Sequence, residues 1–229
     1  LLLAGEISQL SIFSQVFTAL RALSLNPDCV AIENELTNSF LPVGSIKIHV
    51  DKKSHQILET AQLVESSERS NLVIISPGSN LTSSSHMLYE KIMSQTQAPV
   101  ILTDEAVGIY ANLPRQARSR GNVMFILSLQ GLKMLEKSLE MHVEDRPGRG
   151  IYNLLHHMDA VQRVVKTDVV CRHEGVVLVQ SQDSSRRCGV VHLEVSNTEA
   201  YSGLLIGLIA GLTTEPSAAF RGNLEKAMT

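Results

Sequence analysis

Tryptophan is absent from the chain, and aromatic residues make up only 4% of it. Proteins that bind single-stranded nucleic acid stack its bases on aromatic side chains, which are scarce here. The formal net charge is −3, which gives no general attraction to nucleic acid or to an anionic membrane surface. We therefore expect neither a nucleic-acid partner nor a membrane partner.

Cysteine is scarce, and long apolar runs are missing. Cys29, Cys171 and Cys188 are widely spaced and form no CxxC motif. An odd number of such cysteines indicates reduced thiols and a cytoplasmic location. The longest apolar run, residues 203–212, is about half of the roughly 18–20 residues that span a bilayer. Residues 1–5 lack a basic leader, are too short for a signal peptide and predict a first strand.

Metal-ligand spacing is lacking as well. No HExxH motif occurs, and His156 and His157 are adjacent in a segment with helical periodicity. Adjacent residues on a helix point in different directions, so these two rings cannot chelate one ion together. We expect no metal site at these histidines.

Strand patterns alternate with helix patterns along the chain. Continuous apolar runs at 72–75, 100–102 and 123–127 are typical of strands buried on both faces, and helical periodicity follows. Residues 175–179 and 190–193 are close enough in sequence to form an antiparallel hairpin. We predict one domain over residues 1–229, an α/β fold with three α/β/α layers and a mostly parallel central sheet.

Glycine and polar residues follow several of the predicted strands. Ligands bind beyond the carboxyl ends of strands in an open parallel sheet. Four such ends, at residues 5–6, 76–80, 103–105 and at Ser128 with Gln130, could line one crevice. We take the candidate substrate-binding residues from these ends: Gly5, Gly78, Asn80 and Gln130. Asp104 and Glu105 directly follow a buried strand, where adjacent carboxylates can bind Mg²⁺ or act as a general base. Ordinary loop acids are the alternative interpretation.

A polar turn at residues 196–203 opens into an apolar, glycine-striped helix that ends near residue 212. Backbone N–H groups at a helix start point outward and can hold an anion. The same turn is also a capping box, because Glu199 follows Ser196 by three residues. Capping alone explains the motif and is the favoured interpretation, with a surviving anion site as the alternative. The helix is apolar nearly all round, so we expect it to be buried in the domain or in a subunit contact.

A basic stretch contains Arg115, Arg118 and Arg120. These cations could meet a phosphate group. Three charges on an acidic protein make a weak electrostatic site, so a solvated loop is the favoured interpretation.

The order of segments resembles the ADP- or ATP-dependent NAD(P)H-hydrate dehydratases, the hydrate-repair branch of the ribokinase fold, over nearly the whole chain. Residues 1–5 stand where that family has its first strand and glycine turn. Residues 73–78 match an apolar strand ending in Gly-Pro-Gly, and 99–107 stand where the family writes a strand ending in Asp-Ala-Asp-Ala-Leu. Residues 124–132 fall where it has Leu-Thr-Pro-His-Pro-Gly-Glu. Residues 198–212 overlay Thr-Gly-Gly-Ser-Gly-Asp-Val-Leu-Ala-Gly-Ile-Ile-Ala-Gly-Leu.

The departures from the family fall on positions that carry chemistry. Its catalytic Asp overlays Gly203, and its phosphate-cradling glycines overlay Glu199 and Ala200. A carboxylate repels phosphate, and a Cβ blocks close backbone approach. The two Asp of Asp-Ala-Asp become Thr103 and Glu105. The Pro-His-Pro turn is replaced by the residues at 129–131.

The resemblance implies a hydrate-dehydratase-related ribokinase-like domain with weak or no catalysis. ATP or ADP, with Mg²⁺, would be the cofactors, and Thr198, Ser202 and Gly203 would line the nucleotide site. The family forms oligomers, which implies a homo-oligomer. One alternative is an active NAD(P)H-hydrate dehydratase or small-molecule kinase in which Asp104 or Glu105 is the base. The other is a structural or protein-interaction domain.

Overall fold

The computed structural model describes residues 2–5, 10–22, 25, 27–32, 46–49, 60–75, 83–119, 121–145, 150–173, 176–180 and 189–192. Nine strands lie in this part of the chain: β1 (Leu2–Gly5), β2 (Asp28–Ile32), β3 (Ile46–Ile48), β4 (Val73–Ile75), β5 (Val100–Thr103), β6 (Val123–Ser128), β7 (Val169–His173), β8 (Val176–Gln180) and β9 (Gly189–His192). The described helices are α1 (Leu10–Ala22), α2 (Thr60–Glu68), α3 (Ser83–Gln95), α4 (Val107–Asn112), α5 (Arg115–Arg118), α6 (Leu129–Ser138) and α7 (Gly150–Val165).

The described strands form one sheet in the order β3-β2-β1-β4-β5-β6-β7-β8-β9. All neighbours from β3 to β7 are parallel. Strands β8 and β9 are antiparallel to their neighbours. The predicted mostly parallel sheet is confirmed, as is the predicted hairpin of β8 and β9. The three apolar runs that predicted buried strands, 72–75, 100–102 and 123–127, correspond to β4, β5 and β6, which are neighbours in the sheet.

Both faces of the central strands are buried. Ile75, Leu102 and Phe125 belong to a core that also contains residues of α2, α3, α4, α6 and α7. Side chains alternate between the two faces of a strand, and the alternate residues Ile74 and Ile101 are buried too. This double burial explains why the strands are continuous apolar runs in the sequence instead of alternating patterns.

The strand order reverses direction between β1 and β4. From β1 the chain proceeds through α1 to β2 on one side, whereas β4 to β7 extend to the other side. Right-handed crossovers then place α1 on the opposite face from α3 and α6. A crevice opens at the carboxyl ends of the strands where such a reversal occurs. The sheet flanked by helices on both faces agrees with the predicted three-layer arrangement.

A buried histidine joins α6 to α7. His157 is 4% exposed. Its Nδ1 lies 2.6 Å from Glu136 Oε1, and its Nε2 lies 3.0 Å from Asp145 Oδ1. The Asn153 amide also donates to Asp145, which lowers the pKa of that carboxyl, and the nearby Lys133 charge acts in the same direction. Both ring nitrogens of His157 are thus engaged with carboxylates.

Within the described ranges, we find no helix with the length and apolar character that crossing a membrane requires. The long glycine-striped helix predicted over residues 197–212 lies outside the described residues.

The Phe125 ring supplies a test of the core on the α6 side of the sheet. It is fully buried, and it meets the Tyr110 ring edge-on with centroids 5.0 Å apart. We expect Phe125→Ala to lower the free energy of unfolding by about 3–5 kcal/mol, because it leaves a cavity and removes the ring contact. Urea unfolding measures the change. Met87→Ala is the control, since Met87 is 60% exposed, and it should cost under about 0.5 kcal/mol. Equal losses in the two variants would contradict this packing.

Candidate functional site

Three polar residues meet at the carboxyl ends of β5, β6 and β7. Asp104 begins a short 3₁₀ turn, Asp104–Ala106, directly after β5. Ser128 is the last residue of β6 and pairs in register with Arg172 of β7. The parallel order of these strands therefore brings together side chains that are more than 60 positions apart in the sequence.

The Asp104 carboxylate is held on two sides. Its Oδ1 accepts a hydrogen bond from the Ser128 backbone N–H, with an N···O distance of 2.6 Å. Its Oδ2 lies 3.7 Å from Nη2 of Arg172. A charged acceptor on a backbone N–H makes a strong hydrogen bond. Asp104 thus connects the end of β5 to the start of α6 and to β7.

Gly131 leaves the space that the Asp104 side chain occupies. A Cβ built on Gly131 would overlap Asp104 Oδ1 and would lie 2.8 Å from its Cγ. This glycine lies in the first turn of α6, where its lack of a side chain lets the carboxylate approach the helix. Close approach, and not a special backbone angle, accounts for glycine at this position.

The start of α6 is capped from within the protein. The Ser128 side chain accepts from the Gly131 N–H at 3.1 Å, as a helix N-cap does. The Asp104 carboxylate accepts a hydrogen bond from the backbone N–H of Ser128. Backbone N–H groups at a helix start can hold a ligand anion, but the N–H groups of Ser128 and Gly131 already have partners within the protein.

A ligand can still reach this edge of the sheet. The side chains of Asp104 and Arg172 are 22% and 24% exposed, so both present atoms to the solvent. Arg172 offers positive charge beside a carboxylate that it partly neutralises. One Asp104 oxygen already accepts the Ser128 N–H, which leaves its other oxygen and the Arg172 guanidinium to meet a ligand.

Cys171 lies next to this group but is no nucleophile. It is fully buried. Burial, reinforced by the Asp104 charge, raises the pKa of its thiol to about 12. The thiolate is the reactive form of cysteine, so this residue is inert near neutral pH. Burial likewise raises the pKa of Cys29 to about 12, with the Asp28 charge acting in the same direction.

The candidate residues of the sequence fall in different places. Gly5 is the last residue of β1, at the reversal of strand order. Gln130 is exposed and lines a shallow depression on α6 with Lys133 and Met134. Glu105 lies in the 3₁₀ turn, but its side chain is outside the described part of the structure. Five other candidates lie outside the described residues: Gly78, Asn80, Thr198, Ser202 and Gly203.

Arg172 was missed from the sequence, and Ser128 was noted there only as a polar strand end. Arg172 directly follows an apolar strand run at 169–171, which was the one signal available. Its role depends on the register of β6 against β7, which the sequence pattern alone does not give. Among the described residues, no group of three or more His, Cys, Asp or Glu side chains is arranged to hold a metal ion.

No protein-family model matches the chain, and no curated protein sequence matches it. Solved structures do match. A hypothetical protein from Streptococcus mutans has a TM-score of 0.65 at 11% identity, over 99% of this chain and 78% of that one. A ribokinase-like superfamily protein from Enterococcus faecalis has a TM-score of 0.61 at 14% identity, over 97% of this chain and 74% of that one. The pyridoxal kinase from Staphylococcus aureus, solved with AMP-PCP and pyridoxal, has a TM-score of 0.62 at 6% identity, over 99% of this chain and 84% of that one.

Identities this low show the fold alone. The mixed, mostly parallel sheet with flanking helices is a ribokinase-like α/β fold, as expected from the sequence.

The close approach of Asp104 to Gly131 can be tested by a double-mutant cycle. Gly131→Ala should destabilise the protein by about 1–3 kcal/mol, because the new methyl group overlaps the carboxylate. In an Asp104→Ala background the same change should cost less, since the overlap with the carboxylate is gone and only the 3.1 Å approach to the Cα of residue 104 remains. Urea unfolding of the four proteins gives the coupling.

Gly108→Ala is the matched control for that cycle. Gly108 lies in α4, and a Cβ there would meet no atom within 4 Å. Alanine favours a helix over glycine by up to about 1 kcal/mol, so this change should be neutral or stabilising. The close contact would be refuted if Gly131→Ala were as harmless as Gly108→Ala.

Proposed function

We propose that this chain is a ribokinase-like nucleotide-binding domain, related to the NAD(P)H-hydrate dehydratases, with little or no catalytic activity. ADP or ATP, accompanied by Mg²⁺, is the proposed ligand at the carboxyl edge of the sheet. The second proposed ligand is a small molecule in the crevice between β1 and β4. A cytoplasmic location and a homo-oligomeric state belong to the same proposal.

The bonding of Asp104 carries the proposal. It is the one candidate base whose side chain the structure describes, and its oxygens face the Ser128 N–H and the Arg172 guanidinium. A general base must point a free lone pair at the proton that it removes. Asp104 instead uses Oδ1 to fasten the end of β5 to α6 and leaves Oδ2 beside the Arg172 cation, so the role that we assign to it is structural.

Three observations support nucleotide binding. Ligands of open α/β sheets bind at the carboxyl ends of the strands, which is where Arg172 lies. Its guanidinium can pair with a phosphate as well as with Asp104. The pyridoxal kinase of similar fold holds the nucleotide analogue AMP-PCP.

The sequence supports weak catalysis independently. The family's catalytic Asp overlays Gly203, which cannot transfer a proton, and its phosphate-cradling glycines overlay Glu199 and Ala200. Catalytic proton transfer typically contributes about 10²–10⁴-fold to the rate. Loss of that acid alone would make turnover very slow.

We expect the wild-type protein to bind ADP or ATP weakly and to turn over neither NADPH hydrate nor pyridoxal. The binding is measured by calorimetry with and without Mg²⁺, and turnover by recovery of NADPH absorbance and by ADP release. Glu199→Gly should strengthen nucleotide binding, because a carboxylate that repels phosphate is removed. Adding Gly203→Asp to that variant restores the family's acid and tests for turnover.

Each result of that experiment has a distinct meaning. Clear turnover by the wild type would overturn the inactive interpretation. Nucleotide binding by none of these proteins would instead favour the alternative of a structural or protein-interaction domain. Glu199→Gln alone is the matched control, because it removes the charge without adding a glycine.

The second candidate function is an active nucleotide-dependent enzyme that uses Asp104 as its base. The partial exposure of Asp104 at the carboxyl edge favours it. Asp104→Asn separates the two: the amide keeps an acceptor oxygen for the Ser128 N–H but cannot take a proton. We expect only a stability loss of about 1–2 kcal/mol, from the weaker hydrogen bond. A fall of 10²-fold or more in a measurable turnover would establish Asp104 as a base.

A further inference from the structure

A cavity lies at the opposite edge of the sheet from Asp104. It has a volume of about 640 Å³ and is bounded by α5 and by the ends of α4, α6 and α7. The residues that matter to its chemistry are Tyr110, Arg115, Arg118, Leu139, Val165 and Lys166. Gly121, which precedes β6, also lines it. From Val123, the first residue of β6, to Ser128 at its other end is roughly 17 Å, at about 3.3 Å per residue.

The charged side chains that line this cavity are all positive. Arg115 and Lys166 are exposed, and Arg118 is half-buried. None of the three forms an ion pair with any residue in the described part of the chain. Uncompensated like charges around one cavity repel each other, and an anion placed among them removes that cost.

Arg118 also has an unsatisfied donor. Its Nε is buried and lacks a hydrogen-bond partner among the described residues. Buried donors in proteins nearly always have a partner, in the protein or in a ligand or water. The planar guanidinium presents its donors in a fork that matches the oxygens of a phosphate group.

The cations around this cavity can also be explained without a ligand, by their positions at the ends of helices. Lys166 directly follows α7 with a φ of 54°, and its N–H donates to Gln162 O. Lysine near a helix C-terminus interacts favourably with the last carbonyl groups without any ligand. Arg118 also lies at a helix end, as the last residue of α5, but that account leaves its buried Nε without a hydrogen-bond partner in the described part of the structure.

We infer that this cavity binds a phosphorylated small molecule, with its phosphate between Arg115, Arg118 and Lys166. The apolar side chains of Leu139 and Val165 and the Tyr110 ring would contact its organic part. The volume is within the range of pockets that take small organic ligands. The site is separate from the carboxyl edge, where the nucleotide is proposed to bind.

Pyrophosphate is the probe for this site, titrated by calorimetry at low ionic strength into the full chain. We expect Arg118→Gln to weaken binding about 10-fold or more, because charge-assisted hydrogen bonds are lost. Lys166→Gln should also weaken it, and this residue is exposed, so that variant should fold even if Arg118→Gln does not.

Arg163→Gln is the matched control for charge. It lies on α7, is 75% exposed and pairs with Asp159, so its loss changes the net charge equally outside the cavity. The affinity of the Arg163→Gln variant for pyrophosphate should stay within about twofold of that of the wild type. The inference is overturned if Arg163→Gln weakens binding as much as Arg118→Gln, or if Lys166→Gln leaves it unchanged. Absence of pyrophosphate binding by the wild type would overturn it as well and leave the cations as helix-end charges.

Discussion

The hydrogen bond from the Ser128 N–H to the Asp104 carboxylate is the contact on which the carboxyl edge of this protein depends. It fixes the turn after β5 against the first turn of α6. It also requires glycine at position 131, since a methyl group there would overlap the carboxylate. With Arg172 on its other side, Asp104 joins three neighbouring strands at the edge where an α/β sheet binds its ligands.

That bond connects the fold to the proposed function. A sheet buried on both faces has few places for polar chemistry except the ends of its strands. Here the carboxylate at such an end is used to hold the scaffold together. In the sequence, Gly203 overlays the catalytic acid of the NAD(P)H-hydrate dehydratases, which the chain resembles. Both observations support the proposal of a domain that binds ligands and turns them over slowly or not at all.

The sequence predicted the sheet well because its central strands are short, continuous apolar runs, which are typical of strands covered on both faces. It also predicted that Asp104 and Ser128 would share one edge. It did not predict their bond, which depends on how the turn after β5 meets α6. Helix α4 was missed because six residues, one of them Gly108, are too few for a clear helical period. The expected loop at Arg115 and Arg118 is a short helix, α5, because buried Ala117 packs its inner side against the core.

A crystal structure of the protein with ADP and Mg²⁺ would test the central claim most directly, because it locates the Asp104 oxygens while a ligand is bound. The account predicts nucleotide at the carboxyl edge of the sheet with Oδ1 of Asp104 still within about 3 Å of the Ser128 nitrogen. It would be contradicted if Asp104 had left Ser128 and Arg172 to contact the metal ion or the ligand, as a catalytic carboxylate would.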